Sequence, residues 1–114
     1  MGIILVDIIK PIALFAISAL FEIFGAYMIW QWRREGMPAL FALVGVIALF
    51  LYSFIQTAQE FTFGRAFAAY GGVFIAAATL WGWLVDGRAP DLWDWIGVLI
   101  CLFGVGVILV AHRS

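Results

Sequence analysis

One carboxylate in this sequence lies where function is expected. Glu22 is the only charged residue in an apolar run over residues 11–32, and it sits near the middle. Carboxylates in the centre of a bilayer are costly and usually face a bundle interior or a watery cavity, where they serve a function. No basic residue lies at comparable depth in the chain. Because an apolar environment favours the neutral carboxyl group, Glu22 is predicted to exchange a proton and, when ionised, to bind a cation.

The residues three and four positions from Glu22 are all small and share its side of a helix. They are Ser18, Ala19, Gly25 and Ala26. Such a face lets another helix, a substrate or water approach the carboxylate. The opposite side, suited to lipid or core, carries Leu20, Ile23, Phe24 and Tyr27. Two interpretations remain open: a proton- or cation-binding carboxylate, or a protonated Glu22 that makes one structural hydrogen bond between helices.

Other chemistries have no support in the sequence. Cys101 is the only cysteine and His112 the only histidine, so no intramolecular disulfide can form and a structural zinc site is not expected. No hydrolase, phosphate-binding or zinc-protease motif occurs. We therefore expect no enzymatic activity, no cofactor and no metal. The net charge of −1 gives no sign of a nucleic-acid partner.

The composition indicates a membrane protein. Of 114 residues, 67% are hydrophobic and only 11% are charged, whereas soluble domains have about 45–50% apolar and about 25% charged residues. Four apolar runs of suitable length cover residues 11–32, 38–57, 66–85 and 92–111. Because only short loops join them, we expect one all-α membrane domain, a bundle of four transmembrane helices in the lipid bilayer.

The ends of the spans say little about orientation. Tryptophans cluster there, as in an interfacial aromatic belt: Trp30, Trp32, Trp81, Trp83, Trp93 and Trp95. Positive charges are balanced, with Lys10, Arg65 and Arg113 on the side of the termini and Arg33, Arg34 and Arg88 on the other. The Arg33–Arg34 pair leans toward both termini outside by the positive-inside rule. The balance also fits insertion in both orientations and pairing with an inverted copy.

The third run combines small and aromatic residues. Ala68, Gly72 and Ala76 form a ridge of small residues that permits close helix packing. The adjacent Gly71 and Gly72 weaken the helix and predict a kink or hinge. Phe67, Tyr70 and Phe74 lie on one side, where their rings either pack or hold an organic cation. Tyr70 is the preferred site residue because its hydroxyl needs a partner at depth.

The fourth run carries one narrow stripe of mostly small residues. The stripe consists of Gly97, Cys101, Gly104 and Ile108. It predicts a helix–helix contact, either within the chain or between two copies in a homodimer. A bundle of four short helices is too slim to enclose both a cavity and a gate, which favours at least a dimer for any transporter built from it.

Several short segments of the chain are distinctive together. They are Glu22-Ile23-Phe24-Gly25, Gly64-Arg65, Ala68-Ala69-Tyr70-Gly71-Gly72, Val85-Asp86-Gly87, Pro90, Asp94-Trp95 and Gly97. With them the sequence closely resembles the YnfA family of small bacterial inner-membrane proteins, over almost its whole length. The resemblance implies a multi-pass protein of the bacterial inner membrane.

The YnfA family is in turn similar to the small multidrug resistance (SMR) exporters, proton-coupled antiporters of lipophilic cations. SMR proteins have four helices and work as antiparallel homodimers. By this resemblance Glu22 corresponds to their membrane-embedded glutamate, and Phe67 and Tyr70 to their cavity aromatics. Gly72 corresponds to their kink glycine. Their dimerisation glycines match Gly97 and Gly104. The chain departs from the SMR pattern at Tyr70, usually tryptophan, at Phe74, usually glycine, and at Phe67, usually tyrosine.

The function predicted from residues and resemblance is proton-coupled export of small cationic or lipophilic compounds by a homodimer, parallel or antiparallel. Its partners would be the lipid bilayer, protons and small organic cations. The alternative is a non-transporting membrane scaffold or partner subunit, in which Glu22 is only a structural hydrogen-bonding group.

Overall fold

The computed structural model describes residues 2–111, with side chains described from residue 8 onward. His112 and Arg113, used above for the zinc and orientation arguments, lie outside the described residues. The described chain forms four helices: α1 (Gly2–Glu35), α2 (Ala39–Gln56), α3 (Phe63–Leu84) and α4 (Leu92–Ala111). Each is long and apolar enough to cross a membrane. The predicted all-α fold with four transmembrane helices is confirmed.

The two tight turns, α1–α2 and α3–α4, are built alike. Each contains a glycine with positive φ, Gly36 at 71° and Gly87 at 77°, which side-chain-bearing residues rarely adopt. In each turn the residue after the glycine donates its N–H to the carbonyl six residues earlier, Met37 to Gln31 and Arg88 to Gly82. A proline then follows within two residues of that donor and prevents the first helix from continuing.

The start of α4 is fixed by two aspartates that cap each other's backbone. The Asp94 N–H donates to Asp91 Oδ1 at 2.9 Å, and the Asp91 N–H donates to Asp94 Oδ2 at 3.0 Å. This reciprocal arrangement satisfies two donors that the first turn of a helix leaves free. The α3–α4 turn is thus held at both ends.

Helix α1 differs from the span that the sequence predicted. The span was placed at residues 11–32, whereas the helix begins at Gly2 and continues through Pro11 to Glu35. A proline removes one backbone donor and disfavours the preceding turn, but it does not force the helix to begin there. The Pro11 carbonyl accepts a hydrogen bond from Gln59 Nε2 at 3.0 Å, from the α2–α3 loop.

Helix α1 is central to the bundle. It packs extensively against α2 and less extensively against α3, while α4 packs mainly against α3. The buried core joins α1, α3 and α4 and consists of Phe15, Ala19, Ala69, Tyr70, Val73, Val105 and Leu109. The molecule measures 49 × 34 × 22 Å, and its thinnest dimension is only about two helix diameters. Two helical hairpins, α1–α2 and α3–α4, therefore form a thin slab rather than a closed barrel.

Glycines set how closely the helices of each hairpin approach. A Cβ atom on Gly45 of α2 would lie 2.6 Å from the Gly25 carbonyl oxygen of α1 and 2.7 Å from Ile29 Cγ1. In the second hairpin, a Cβ atom on Gly72 would collide with Val105 Cγ2 and lie 3.0 Å from the Cys101 carbonyl oxygen. Small residues at helix crossings in membranes permit such close packing.

We predict that Gly45→Ala loosens the α1–α2 hairpin. The added methyl group meets backbone of α1, which cannot move aside without separating the helices, so we expect a loss of about 1–3 kcal/mol in the free energy of unfolding. Denaturation by sodium dodecyl sulfate in mixed micelles measures it. Gly106→Ala is the matched control, because no atom of the part of the chain that the structure describes lies within 4 Å of its Cβ position. Equal stability of both variants would contradict this account of the crossing.

Candidate functional site

A hydrogen bond between α1 and α3 defines the site. Tyr70 Oη donates to Glu22 Oε1 at 2.6 Å, joining two residues that are 48 positions apart. The short distance is typical of a hydroxyl that donates to a carboxyl oxygen. The structure thus brings together the two residues that the sequence analysis placed first, and the Tyr70 hydroxyl has its partner at depth.

Aromatic rings fix the position of the Tyr70 side chain. Tyr70 is only 2% exposed. The rings of Phe15, Tyr52, Phe67 and Phe74 surround it, with centroid distances of 5.7–5.9 Å. Tyr52 of α2 stacks on it at an interplanar angle of 30°. Packing on several sides restricts the ring, so the hydroxyl stays directed at Glu22.

A groove leads from Glu22 toward the turns at Gly36 and Gly87. We call it the Glu22 groove; its volume is about 790 Å³. The residues that line it are Glu22, Ile23, Ala26, Tyr27, Trp30, Gln31, Glu35, Phe74, Ala78, Trp81, Asp86 and Arg88. The volume falls within the range of small-molecule sites. The carboxylate therefore lies at the inner end of a groove that opens at one end of the bundle.

The walls of the Glu22 groove are aromatic. Tyr27 and Trp81 face each other edge to face, with ring centroids 5.4 Å apart. Trp30 carries the Arg34 guanidinium over its ring at 4.7 Å, and Phe74 completes the wall beside Tyr70. Aromatic faces attract cations, so the walls and the carboxylate favour the same kind of ligand.

The sequence analysis missed part of these walls. Tyr27 and Ile23 were assigned to the side of α1 opposite Glu22, suited to lipid or core, yet both line the Glu22 groove beside it. Trp30 and Trp81 were interpreted as interfacial anchors. Spacing along one helix could not show that α3 lies against this side of α1, since that depends on how the helices are rotated in the bundle. The sequence did contain one indication of these walls: aromatic residues occur at similar depth in the first and third apolar runs.

The small residues around Glu22 have three different surroundings. Ser18 and Ala19 are fully buried in the packed half of the bundle. Gly25 lies against α2, and Ala26 lines the groove. Within the described part of the chain, the Ser18 hydroxyl has no hydrogen-bond partner. A polar group without a partner thus lies one helical turn before the carboxylate.

Phe67 does not reach the Glu22 groove. It is 45% exposed, and its ring meets that of Tyr70 edge to face, with the centroids 5.9 Å apart. Instead it lines a smaller pocket of about 260 Å³ beside the α2–α3 loop. The other residues of that pocket are Ser53, Gln56, Thr57, Gln59, Phe61, Phe63 and Ala66. Its role in substrate binding stays a prediction.

The residues assigned to a kink and to a dimer contact are placed as follows. Helix α3 is continuous through Gly71 and Gly72; Gly71 has open space around it, and Gly72 packs against α4. On α4, Ile108 packs against the core and the Cys101 backbone contacts α3. Among the described residues, no atom lies within 4 Å of the Cβ positions of Gly97 and Gly104. Hinge and dimer contact both stay predictions.

Comparison with known proteins identifies the relatives of this chain. A family model described as "Uncharacterised BCR, YnfA/UPF0060 family" matches residues 8–114. A UPF0060 membrane protein of Halalkalibacterium halodurans is 56% identical over 88% of this chain and 94% of its own length. The UPF0060 membrane protein YfjF of Bacillus subtilis is 54% identical over 90% of this chain and 95% of its own. No solved structure matches the chain. The predicted family resemblance is confirmed.

We predict that the Tyr70–Glu22 hydrogen bond stabilises the fold measurably. In a double-mutant cycle with Tyr70→Phe and Glu22→Leu, we expect a coupling of about 1 kcal/mol in the free energy of unfolding, the size found for hydrogen bonds between membrane helices. Unfolding in mixed micelles measures each corner of the cycle.

The matched control is Tyr52→Phe combined with Glu22→Leu. Tyr52 also packs against Tyr70, but its hydroxyl makes no hydrogen bond to Glu22 among the described residues. Its coupling to Glu22 should be near zero. A coupling of equal size for Tyr52 and Tyr70 would attribute the effect to packing and contradict the assignment.

Proposed function

We propose a transport function for this chain, which belongs to the YnfA/UPF0060 family: proton-coupled export of small cationic or lipophilic compounds. One observation carries the proposal. Glu22, a carboxylate near the middle of the first span, lies at the inner end of an aromatic-walled groove that leads to one end of the bundle. A structural hydrogen bond alone would need neither the groove nor its aromatic walls.

The coupling would follow from competition at one carboxyl group. Protonated Glu22 is neutral and holds no cation, whereas ionised Glu22 attracts a cation between the aromatic walls. Proton and substrate then exclude each other, so that movement of one across the membrane is tied to movement of the other. Tyr70 acts as a positioning residue: its hydroxyl holds Oε1 and leaves the remainder of the carboxylate for the ligand.

A homodimer fits the thinness of the slab. The Glu22 groove is open along its length, and one copy has too few helices to close it and to form a gate. The stripe on α4 supports the same interpretation, because the space beside Gly97 and Gly104 is open for a second helix. Cys101 and Ile108, which pack within the chain, would flank that contact. The similarity to SMR exporters favours an antiparallel pair in the bacterial inner membrane.

The second candidate is a non-transporting scaffold or partner subunit. The observation that favours it is the Tyr70–Glu22 bond itself, which a neutral Glu22 makes equally well as a structural contact. In that case a glutamine at position 22 would preserve the bond, since its amide oxygen also accepts. Assembly and function would then be unchanged in Glu22→Gln.

We predict that Glu22→Gln abolishes pH-dependent cation binding. In the purified protein in lipid nanodiscs, tetraphenylphosphonium should bind more tightly at alkaline than at acid pH, because proton and cation compete for one carboxyl group. The variant should bind weakly at every pH, because its amide can neither ionise nor attract the cation. Equilibrium dialysis measures both proteins.

Glu60→Gln serves as the control, because Glu60 is exposed at the far end of the bundle and pairs with Lys10 at 3.3 Å. It should behave like the wild type. If Glu22→Gln bound the cation with wild-type affinity from acid to alkaline pH, the transport proposal would be wrong and the scaffold role would be favoured.

We predict that Gly104→Leu separates the copies without unfolding them. No described atom of one copy lies within 4 Å of its Cβ position, whereas the second helix would fill the adjoining space in the proposed dimer. We expect a shift from dimer to monomer in light scattering of the purified protein. At Gly106, too, no described atom lies within 4 Å of the Cβ position, and the residue lies on another side of α4, so Gly106→Leu should remain dimeric. The same oligomeric state for both variants would contradict the assigned contact.

A further inference from the structure

We propose that the Glu22 groove takes elongated dications, with one cationic head at Glu22 and the other at the mouth beside Glu35 and Asp86. The inference rests on the proposed function and specifies its substrate class. It follows from the length of the groove, the apolar character of its middle and the charges at its two ends.

The length of the groove follows from helix geometry. Glu22 and Glu35 both line it and lie 13 residues apart on α1. At 1.5 Å per residue, their backbones are about 20 Å apart along the axis. A compact monocation held at Glu22 would leave most of the 790 Å³ empty. A molecule with a long spacer would use the whole groove.

The middle of the groove provides no charge for a ligand. Between the two ends it is lined by Tyr27, Trp30, Ala78 and Trp81. Such largely apolar walls suit an alkyl or aromatic spacer, because they bury its apolar surface. Gln31, which also lines the groove, is polar but uncharged. Along the groove the lining thus changes from a carboxylate at Glu22 to a mostly apolar middle and then to the carboxylates of Glu35 and Asp86.

The mouth carries two carboxylates that are not engaged elsewhere. Glu35 and Asp86 are exposed, and neither they nor Arg88 forms an ion pair in the part of the chain that the structure describes. Together these three lining residues carry one net negative charge. The nearby Arg34 guanidinium lies over the Trp30 ring. The carboxylates are therefore available to a second cationic head, whereas Arg88 opposes it.

The experiment compares three ligands of one length that differ only at the second end, and two further dications that vary the length. The probes are the bis(trimethylammonium) derivatives of hexane, decane and tetradecane, with decyltrimethylammonium as the matched monocation and its ω-carboxylate as the zwitterion. Affinities are measured by calorimetry on the wild-type protein in nanodiscs. We expect the better-fitting long dication to bind about tenfold more tightly than the monocation, since exposed charge pairs each add a few-fold and the second contact is intramolecular.

Variants at the mouth test which residues are responsible. Glu35→Gln with Asp86→Asn should reduce the preference for the dication to about onefold and leave the monocation unchanged. Arg88→Gln should increase the preference severalfold. Glu60→Gln, a carboxylate removed from the opposite end, should change neither affinity.

The outcomes separate this inference from the proposed function. Equal affinity for dication and monocation, with binding still lost in Glu22→Gln, would overturn the inference alone. Tighter binding of the zwitterion would also overturn it, since Arg88 would then be the recognising group. Cation binding that does not depend on Glu22 would overturn the proposed function instead.

Discussion

The membrane interior sets the constraint on which this structure depends: polar groups there need partners, because the lipid chains offer none. Glu22 places a carboxyl group at that depth, and Tyr70 supplies the donor from another helix. For the bond to form, α1 and α3 must lie side by side and face each other at Glu22. The aromatic rings packed around Tyr70 keep its hydroxyl directed at Glu22.

The glycines make this geometry attainable within four helices. Gly25 and Gly45 bring α2 onto one side of α1, and Gly72 brings α4 onto α3. The remaining side of α1 faces α3. There, between Glu22 and the mouth of the groove, the large side chains of Tyr27 and Trp81 lie between the two helices. Tight packing within each hairpin and looser packing between them therefore produce the Glu22 groove.

Periodicity and composition predicted the four spans, and the isolation of Glu22 in its apolar run predicted the residue at the centre of the site. The Tyr70 hydroxyl could be anticipated because a buried phenol needs a partner. Tyr27 and Trp81 could not be assigned, since their meeting depends on helix rotation, which a single sequence does not encode locally. The passage of α1 through Pro11 was missed for a related reason: proline raises the energy of a helix without forbidding it.

The α2–α3 loop has a mechanical consequence. At that end Gln59 donates a hydrogen bond to the Pro11 carbonyl, and the exposed Glu60 pairs with Lys10, so two polar contacts from the loop reach α1 there. Among the described residues, the other side-chain hydrogen bond between the hairpins is Tyr70–Glu22, halfway along. The two hairpins are thus linked by polar contacts at the loop end and halfway along, and no side-chain hydrogen bond among the described residues links them at the mouth. If the Tyr70–Glu22 bond were broken, the hairpins would keep only the contacts at the loop end, so any separation between them would be largest at the mouth.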